Sequence, residues 1–407
     1  MSGEILFLAH RLPFPPDRGD KIRSHHVLKA LAPIAPVHVG CLAEDARDLA
    51  HEHELAALAA SHCMPLRSKP LPLAGIEALG RSESISFAAF RSDRLRRWVE
   101  QTLAERNIAA IYVFSGQMGQ YVPADWHGRL VVDLVDVDSA KFDAYAKAGS
   151  GPRAWIDARE GRMLRRVEAD LARRADETLL VSDAEAALLR SRVPGQASIR
   201  ALRNGIDCEA FDPANVQPHS ALASDGPHIV FTGQMDYAPN IAAVARMARA
   251  IMPEVRRSLP EARFHVVGRA PTREVQALHG ENGTRIIGEV PDTRPWLAGA
   301  DIVVAPLTIA RGVQNKVLEA MAMARPVVVS PEAATGIDAQ SNSQLVIAES
   351  DAAFVANILG LTTEAKVAKE LGQAARHFVQ QTMSWPAMLA DLPALMGFDG
   401  GTRRDAA

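Results

Sequence analysis

A chain of 407 residues has room for two domains of ordinary size, and 48% apolar with 23% charged residues is the balance of a soluble globular protein. The formal net charge of −3 offers no general attraction to nucleic acid, and no apolar run approaches the ~18 residues that a membrane span requires. Three cysteines, Cys41, Cys63 and Cys208, are odd in number and widely spaced, which argues against a disulfide framework or a zinc site and for a reducing, cytoplasmic setting.

The first apolar run, 5–9, reads as a buried strand and lacks the basic leader of a signal peptide. A long loop follows over 10–23, with Gly19 set among Asp17, Arg18, Asp20, Lys21 and Arg23, before a helix over 24–31. Dense charge at the carboxyl end of a strand marks where open α/β sheets bind ligands, and long ordered loops tend to carry function; a solvated loop is the plain alternative. A strand over 37–41 and a helix over 45–61 lead to 64–80, where Pro65, Pro70 and Pro72 suggest an irregular connection. The helix over 95–106 contains Arg96, Arg97 and Trp98 and is preceded by Phe87, Phe90, Arg91 and Arg94. Basic residues interleaved with aromatics fit an anionic membrane face, or else a solvated face with its aromatics packed inward.

Strands over 108–114 and 130–139 come next, the second carrying Asp133, Asp136 and Asp138. Alternation puts Asp136 and Asp138 on one face, and Asp138 or Ser139 is placed to cap the following helix. A charged helix over 154–175, a strand over 177–182, a helix over 184–192 and a short strand over 197–202 complete the first half. Asn204-Gly-Ile-Asp207 makes a turn, and the poorly hydrophobic stretch 212–227 reads as an interdomain linker.

The pattern then restarts. Strands over 228–232, 262–267, 284–287, 301–305 and 327–330 alternate with helical segments, and glycines (Gly233, Gly268, Gly288) close the first three. Such alternation implies a parallel doubly wound sheet. Asn240 is placed to cap a helix from Ile241. The stretch Arg311-Gly-Val-Gln-Asn-Lys-Val-Leu-Glu-Ala-Met-Ala-Met-Ala-Arg-Pro326 is a glycine turn and helix between two buried strands. Its helix N-terminus suits a phosphate, since free N–H groups and the positive dipole end both face it. Lys316 in the first turn is unfavourable for the helix alone, and a bound anion removes that penalty. Glu319, one turn on, could accept hydrogen bonds from a ribose diol; a plain i,i+3 surface pair is the alternative. No Gly-x-Gly-x-x-Gly or Gly-x-x-x-x-Gly-Lys-Ser/Thr follows any strand, so no nicotinamide, flavin or P-loop site is expected.

Two α/β halves, glycine turns at Gly233, Gly268 and Gly288, and Gly-x-x-x-Lys-x-x-Glu-Ala-Met-Ala before a Pro-Val-Val strand resemble the glycosyltransferases of family 4 (group 1), as do Asn204-Gly-Ile-Asp207 and Ala333-Ala-Thr-Gly336. The resemblance implies the α/β GT-B fold, two Rossmann-like doubly wound parallel-sheet domains facing a central cleft that closes on its substrates. It also implies a metal-independent retaining transferase without a cofactor. More narrowly, Pro13-Phe-Pro-Pro-Asp-Arg-Gly-Asp-Lys-Ile-Arg23 and Asp133-Leu-Val-Asp-Val-Asp-Ser139 look like the sugar transferases associated with bacterial exosortase (PEP-CTERM) and exopolysaccharide clusters.

The expected domains are 1–205 for the acceptor and 206–383 for the nucleotide sugar, with a linker at 206–227. A last segment, 384–407, is expected to return a helix to the first domain and end in a disordered tail. The resemblance assigns the diphosphate to Gly312 and Val313, the leaving phosphate to Lys316 and the ribose to Glu319. Gly233 and Gly268 are donor turns, and Gly288 and Val290 lie against the base. Gly19, Asp20 and Arg23 form the acceptor loop, and Asp136 falls near a histidine that in relatives orients the sugar or acceptor. Asp136-Val-Asp138 is similar to the metal-binding triplet of another sugar-transferase architecture, which the surrounding chain does not fit, so no metal is assigned. Arg311 departs from the pattern, since relatives carry a glutamate there. An arginine cannot accept a hydrogen bond but can bind a phosphate or a sugar carboxylate, which opens a uronic acid donor. The implied partners are a nucleoside-diphosphate sugar and a saccharide or lipid-linked acceptor, with peripheral membrane contact. A sugar-nucleotide epimerase and a non-catalytic nucleotide-sugar-binding partner are the alternatives.

Overall fold

The computed structural model describes residues 2–398 apart from 196–197, 225 and 311. The expectations for Arg311 and for the tail beyond 398 therefore lie outside the described residues. The chain divides into two compact units, 2–204 with 388–398, and 205–387.

Each unit is built on a parallel sheet. In the first, β1 (Glu4–Ala9), β2 (Val37–Cys41), β3 (Ser61–Cys63), β4 (Ile108–Phe114), β5 (Arg129–Val135), β6 (Glu177–Leu180) and β7 (Ile199–Ala201) lie in the order β3-β2-β1-β4-β5-β6-β7. In the second, β8 (His228–Thr232), β9 (Arg263–Val267), β10 (Thr284–Gly288), β11 (Ile302–Ala305), β12 (Val327–Val329) and β13 (Val346–Ile347) lie in the order β10-β9-β8-β11-β12-β13. The central strands are buried on both faces, which is why they read as unbroken apolar runs. Both orders reverse beside the first strand of the unit, between β1 and β4 and between β8 and β11. Ligands of doubly wound sheets sit at the carboxyl ends of the strands flanking such a reversal.

Several sequence expectations need correction. The segment 64–80 is not irregular throughout: Leu71–Gly80 is a helix. Pro70 and Pro72 open it, because a proline in the first turn loses no hydrogen bond. The expected helix over 45–61 is two short ones, Ala46–Ala50 and Glu52–Leu58, followed by the unforeseen β3. The helix after β1 begins at Gly19 rather than at 24, so Asp20, Lys21 and Arg23 are helical and not part of a loop. Ala238–Arg246 starts with Pro239 in its first turn, so Asn240 is inside it and is not its cap. Asp138 and Ser139 fall inside Asp138–Ala148, whose cap position is Val137. The stretch read as a linker, which the expected second domain already included, packs on that unit: Arg376 Nη1 donates to the carbonyl of Phe211, and Leu222 is buried.

The aromatics offered as a membrane face also belong to the interior. Phe87 and Phe90 are buried, and the Arg91 guanidinium is held by Glu77 and Glu83. Instead, the exposed apolar side chains of this unit include Leu73, Ile76 and Leu79 on Leu71–Gly80, with Trp155 on Gly151–Arg174. The two helices are joined by Arg159, which donates to the carbonyls of Ala78 and Glu83 at 3.0 Å each. Glu160 beside it accepts from the backbone of Ile85 and Ser86 and from the hydroxyl of Ser84.

Candidate functional site

The second unit gathers its glycine turns at the carboxyl edge of the sheet. Gly233 N–H donates to the Val267 carbonyl (3.1 Å), Met235 N–H to Arg269 (2.8 Å) and Gly268 N–H to Gly288 (2.8 Å). A Cβ on Gly268 would lie 1.6 Å from the Gly233 carbonyl oxygen, so no other residue fits. The turns after β8, β9 and β10 are thereby locked together, with Val290 just beyond.

The helix Asn315–Ala322 follows β11 and the loop that carries Gly312 and Val313. Val317, Leu318, Met321 and Ala322 bury its inner face. It closes at Ala322: Ala324 N–H bonds the Met321 carbonyl and Arg325 N–H that of Ala320, with Ala324 left-handed (φ 54°). Ser330 at the end of β12 donates to the Leu307 carbonyl (2.5 Å) and fixes the loop leaving β11. The 333–336 turn packs on that loop, since a Cβ at Gly336 would meet Val313 Cγ2 at 3.0 Å.

At the N-terminal end of this helix the cap position, Gln314, makes no side-chain capping bond among the described residues. Lys316 reaches across to the opposite side of the switch point, donating to Asn240 Oδ1 at 2.6 Å. Its Nζ also lies 4.3 Å from the Phe231 ring centroid. Asn240 is buried and donates to the Gln234 carbonyl (2.8 Å), so a neutral amide anchors the lysine to the Gly233 turn. Burial lowers the Lys316 pKa to about 8, opposed by Glu319, and burial raises that of Glu319, opposed by Lys316. Among the described residues the Glu319 carboxylate has no hydrogen-bond or ion-pair partner. The site thus presents a half-desolvated cation at a helix N-terminus and an unused carboxylate one turn away. That pairing suits a diphosphate joined to a diol. Asn240, expected only as a helix cap, was not foreseen as the partner of Lys316.

At the switch point of the first unit, a cavity of about 320 Å³ is lined by residues including His10, Asp20, Ser115, Gln117, Asp136 and Lys141. The structure therefore brings two expected residues, Asp20 and Asp136, to one cavity. Asp20 accepts from His10 Nε2 (3.2 Å) and Arg11 Nη1 (2.5 Å); burial favours its neutral form, but these bonds hold its carboxyl well below the usual range. Lys141 donates to Asp136 (2.8 Å) and Asp138 (3.2 Å). Gly19 is exposed, with nothing near the position of a Cβ.

Arg23 does not fit the acceptor-binding role. It is 1% exposed and its guanidinium is fully committed: Nε and Nη2 donate to Asp133, and Nη1 to the Leu202 carbonyl and Asn204 Oδ1. Asp133, one of the three carboxylates of the strand read over 130–139, is the buried partner and also accepts from Tyr112 Oη (2.8 Å). Lys21 is likewise buried, on Asp48 and the Phe14 carbonyl.

Residues 226–364, the greater part of the second unit, match the family model described as glycosyl transferases group 1. No curated protein matches the chain. Solved structures with the same fold include HepE from Anabaena in complex with UDP and glucose, with a TM-score of 0.59 at 15% identity, covering 97% of this chain and 100% of that one. A glycosyltransferase from Rickettsia africae gives 0.58 at 15%, covering 98% and 99%. WaaG, a glycosyltransferase involved in lipopolysaccharide biosynthesis, gives 0.55 at 15%, covering 97% and 100%. The fold is thus the two-Rossmann GT-B fold, and the stretch 226–364 of the second unit is similar to the group 1 glycosyl transferases.

Proposed function

We propose that the protein is a retaining, metal-independent glycosyltransferase that moves a sugar from a nucleoside diphosphate to a saccharide or lipid-linked saccharide of a cell-surface glycan. The observation that carries this reading is Lys316, held by Asn240 at the open N-terminus of Asn315–Ala322, with the unpartnered Glu319 one turn on. Cleavage of the sugar–phosphate bond leaves negative charge on the departing diphosphate, and a preorganised cation with loop amides stabilises that charge as it forms. The glycine turns allow the donor close to the backbone. The family match over this segment and the neighbour solved with UDP and glucose support the same chemistry.

The test is a panel of UDP-, GDP- and dTDP-sugars, read by thermal shift and slow donor hydrolysis in EDTA. One donor class stabilises the protein and is hydrolysed with retention of the anomeric configuration. Binding with no turnover towards any acceptor, or conversion of the donor sugar to its epimer, sinks the proposal. Glu319→Ala weakens affinity for the matching nucleoside diphosphate by about 10- to 100-fold, the scale of hydrogen bonds to a charged group. The same change leaves the melting temperature unchanged or raised, because it removes a desolvated carboxylate that no described residue pairs. Unaltered affinity in titration calorimetry would refute the ribose assignment.

Among the described residues no helix is long and apolar enough to cross a membrane. We place the membrane contact instead on Leu73, Ile76, Leu79 and Trp155, each more than half exposed, with exposed Arg81 and Arg153 near by in sequence. Wild-type protein pellets with anionic vesicles at low salt, and Ile76→Glu with Trp155→Glu reduces pelleting at least about tenfold, from the apolar area lost. Equal pelleting of both proteins removes this surface from consideration.

A further inference from the structure

The cavity at the first switch point has features that the donor reading does not use. His10 follows β1 and is 8% exposed; its ring stacks on Phe114, with centroids 5.8 Å apart, and meets Phe90 edge-on. Its Nε2 faces Asp20 and Arg11, while its Nδ1 is buried with no hydrogen-bond partner. A buried polar atom left unsatisfied is costly, so a histidine is kept beside this cavity at the expense of stability. Every other group here is already balanced. The lining carries two cations, Arg11 and Lys141, against three carboxylates, Asp20, Asp136 and Asp138. Arg11 is spent on Asp20 and Glu44, and Lys141 on Asp136 and Asp138. Burial pushes the His10 pKa down, with the Asp20 hydrogen bond opposing it. Arg18, just outside the lining, is also held by Asp20 and Glu44, so the pocket has no cation free for an anion and offers carboxylate oxygens together with the amide and hydroxyl of Gln117 and Ser115.

We propose that this cavity is a subsite for the neutral, polyhydroxylated end of the acceptor. In it His10 positions a sugar hydroxyl, and the carboxylates exclude phosphorylated or carboxylated sugars. Hydroxyls donate to carboxylates and accept from amides, and so fit this lining without a net charge; a phosphate or uronate meets three carboxylates and no unpaired cation. His10 acts here as a positioning residue, with the Asp20 carboxylate fixing its ring.

This inference rests on the transferase reading, so its test separates the two. Saturation-transfer NMR is run without donor, on the full chain, with a panel of neutral methyl glycosides and the matching uronates and sugar phosphates. Affinity for the nucleoside diphosphate is measured on the same samples. Neutral glycosides give signals and acidic ones give none. His10→Ala weakens the neutral signal about tenfold or more, and His10→Gln, which keeps a hydrogen-bonding side chain in the folded cavity, restores part of it. Nucleoside-diphosphate affinity stays as in the wild type in both variants, and thermal melting followed by circular dichroism reports that their first unit is folded. Acidic glycosides binding more tightly than neutral ones, no neutral glycoside binding at millimolar concentration, or full binding by His10→Ala each overturns the proposal. Failure of the wild type to bind any nucleoside diphosphate overturns the transferase reading instead.

Discussion

Lys316→Ala lowers turnover by about 10²- to 10³-fold while changing donor affinity much less. The magnitude is that of removing one preorganised charge-stabilising group, about 2.7–4 kcal/mol of transition-state free energy. The effect falls on turnover because charge on the departing diphosphate grows only as the glycosidic bond breaks. The free lysine is a weak base for its type: burial lowers its pKa to about 8, and its nearest partner is the neutral Asn240 amide rather than a carboxylate. The protonated form is the useful one. Activity measured as kcat/KM is therefore full below about pH 8 and falls as pH rises through that value. Lys316→Arg, which stays protonated throughout, retains some activity and loses this alkaline limb. A pH profile in which wild type and Lys316→Arg fall together above pH 8 would assign the limb to another group. Turnover within a few-fold of wild type in Lys316→Ala would remove the lysine from the mechanism. Asn240→Ala, which frees the Nζ from its anchor, gives an intermediate loss on the same assay.

Arg23→Ala destabilises the first unit by about 3–5 kcal/mol, the usual consequence of leaving a buried carboxylate without its partner. Asp133 has no exposure, and the arginine ties Gly19–Leu31 to β5 and to the carbonyl of Leu202. Arg23→Lys is also strongly destabilising, because an ammonium cannot serve Asp133, Leu202 and Asn204 in one fork. Chemical denaturation monitored by circular dichroism reads both changes. Nucleoside-diphosphate binding by the second unit persists at temperatures where the folded first unit survives. A loss below about 1 kcal/mol for Arg23→Ala would show that the network is dispensable.

The strands of the two sheets and the glycine turns at their ends were largely legible in the chain because both rest on short-range signals. Unbroken β-branched runs fix buried parallel strands, and a glycine at the end of each fixes the turn. Lys316 and Glu319 lie on one helical segment, so their relation follows from spacing alone. What failed was the inference of burial from polarity. Arg23, Lys21 and Asp133 look like surface charge until the fold brings partners from 27 to 110 positions away in sequence, as Lys21 with Asp48 and Arg23 with Asp133. Phe87 and Phe90 look available to a membrane until packing within the first unit encloses them, whereas Leu73, Ile76 and Leu79 lay in a segment that prolines made look unstructured. Asn240 was legible only as a capping residue, because its bond to Lys316 crosses the switch point between two distant segments. His10 had no signal beyond its place after a strand.

The lysine anchored by an amide also has a practical consequence at the bench and in the cell. A cation already neutralised by a carboxylate gives little to a passing small ion, but Lys316 keeps its charge uncommitted in the resting protein. Inorganic phosphate, sulfate and pyrophosphate should therefore compete for this helix end, in that rising order of charge near neutral pH. Assays in phosphate buffer would understate donor affinity, and the released nucleoside diphosphate would itself slow the next cycle. Purification and kinetics in low-anion buffers, with a pyrophosphatase or nucleotidase present, are the conditions under which this site is open to its donor.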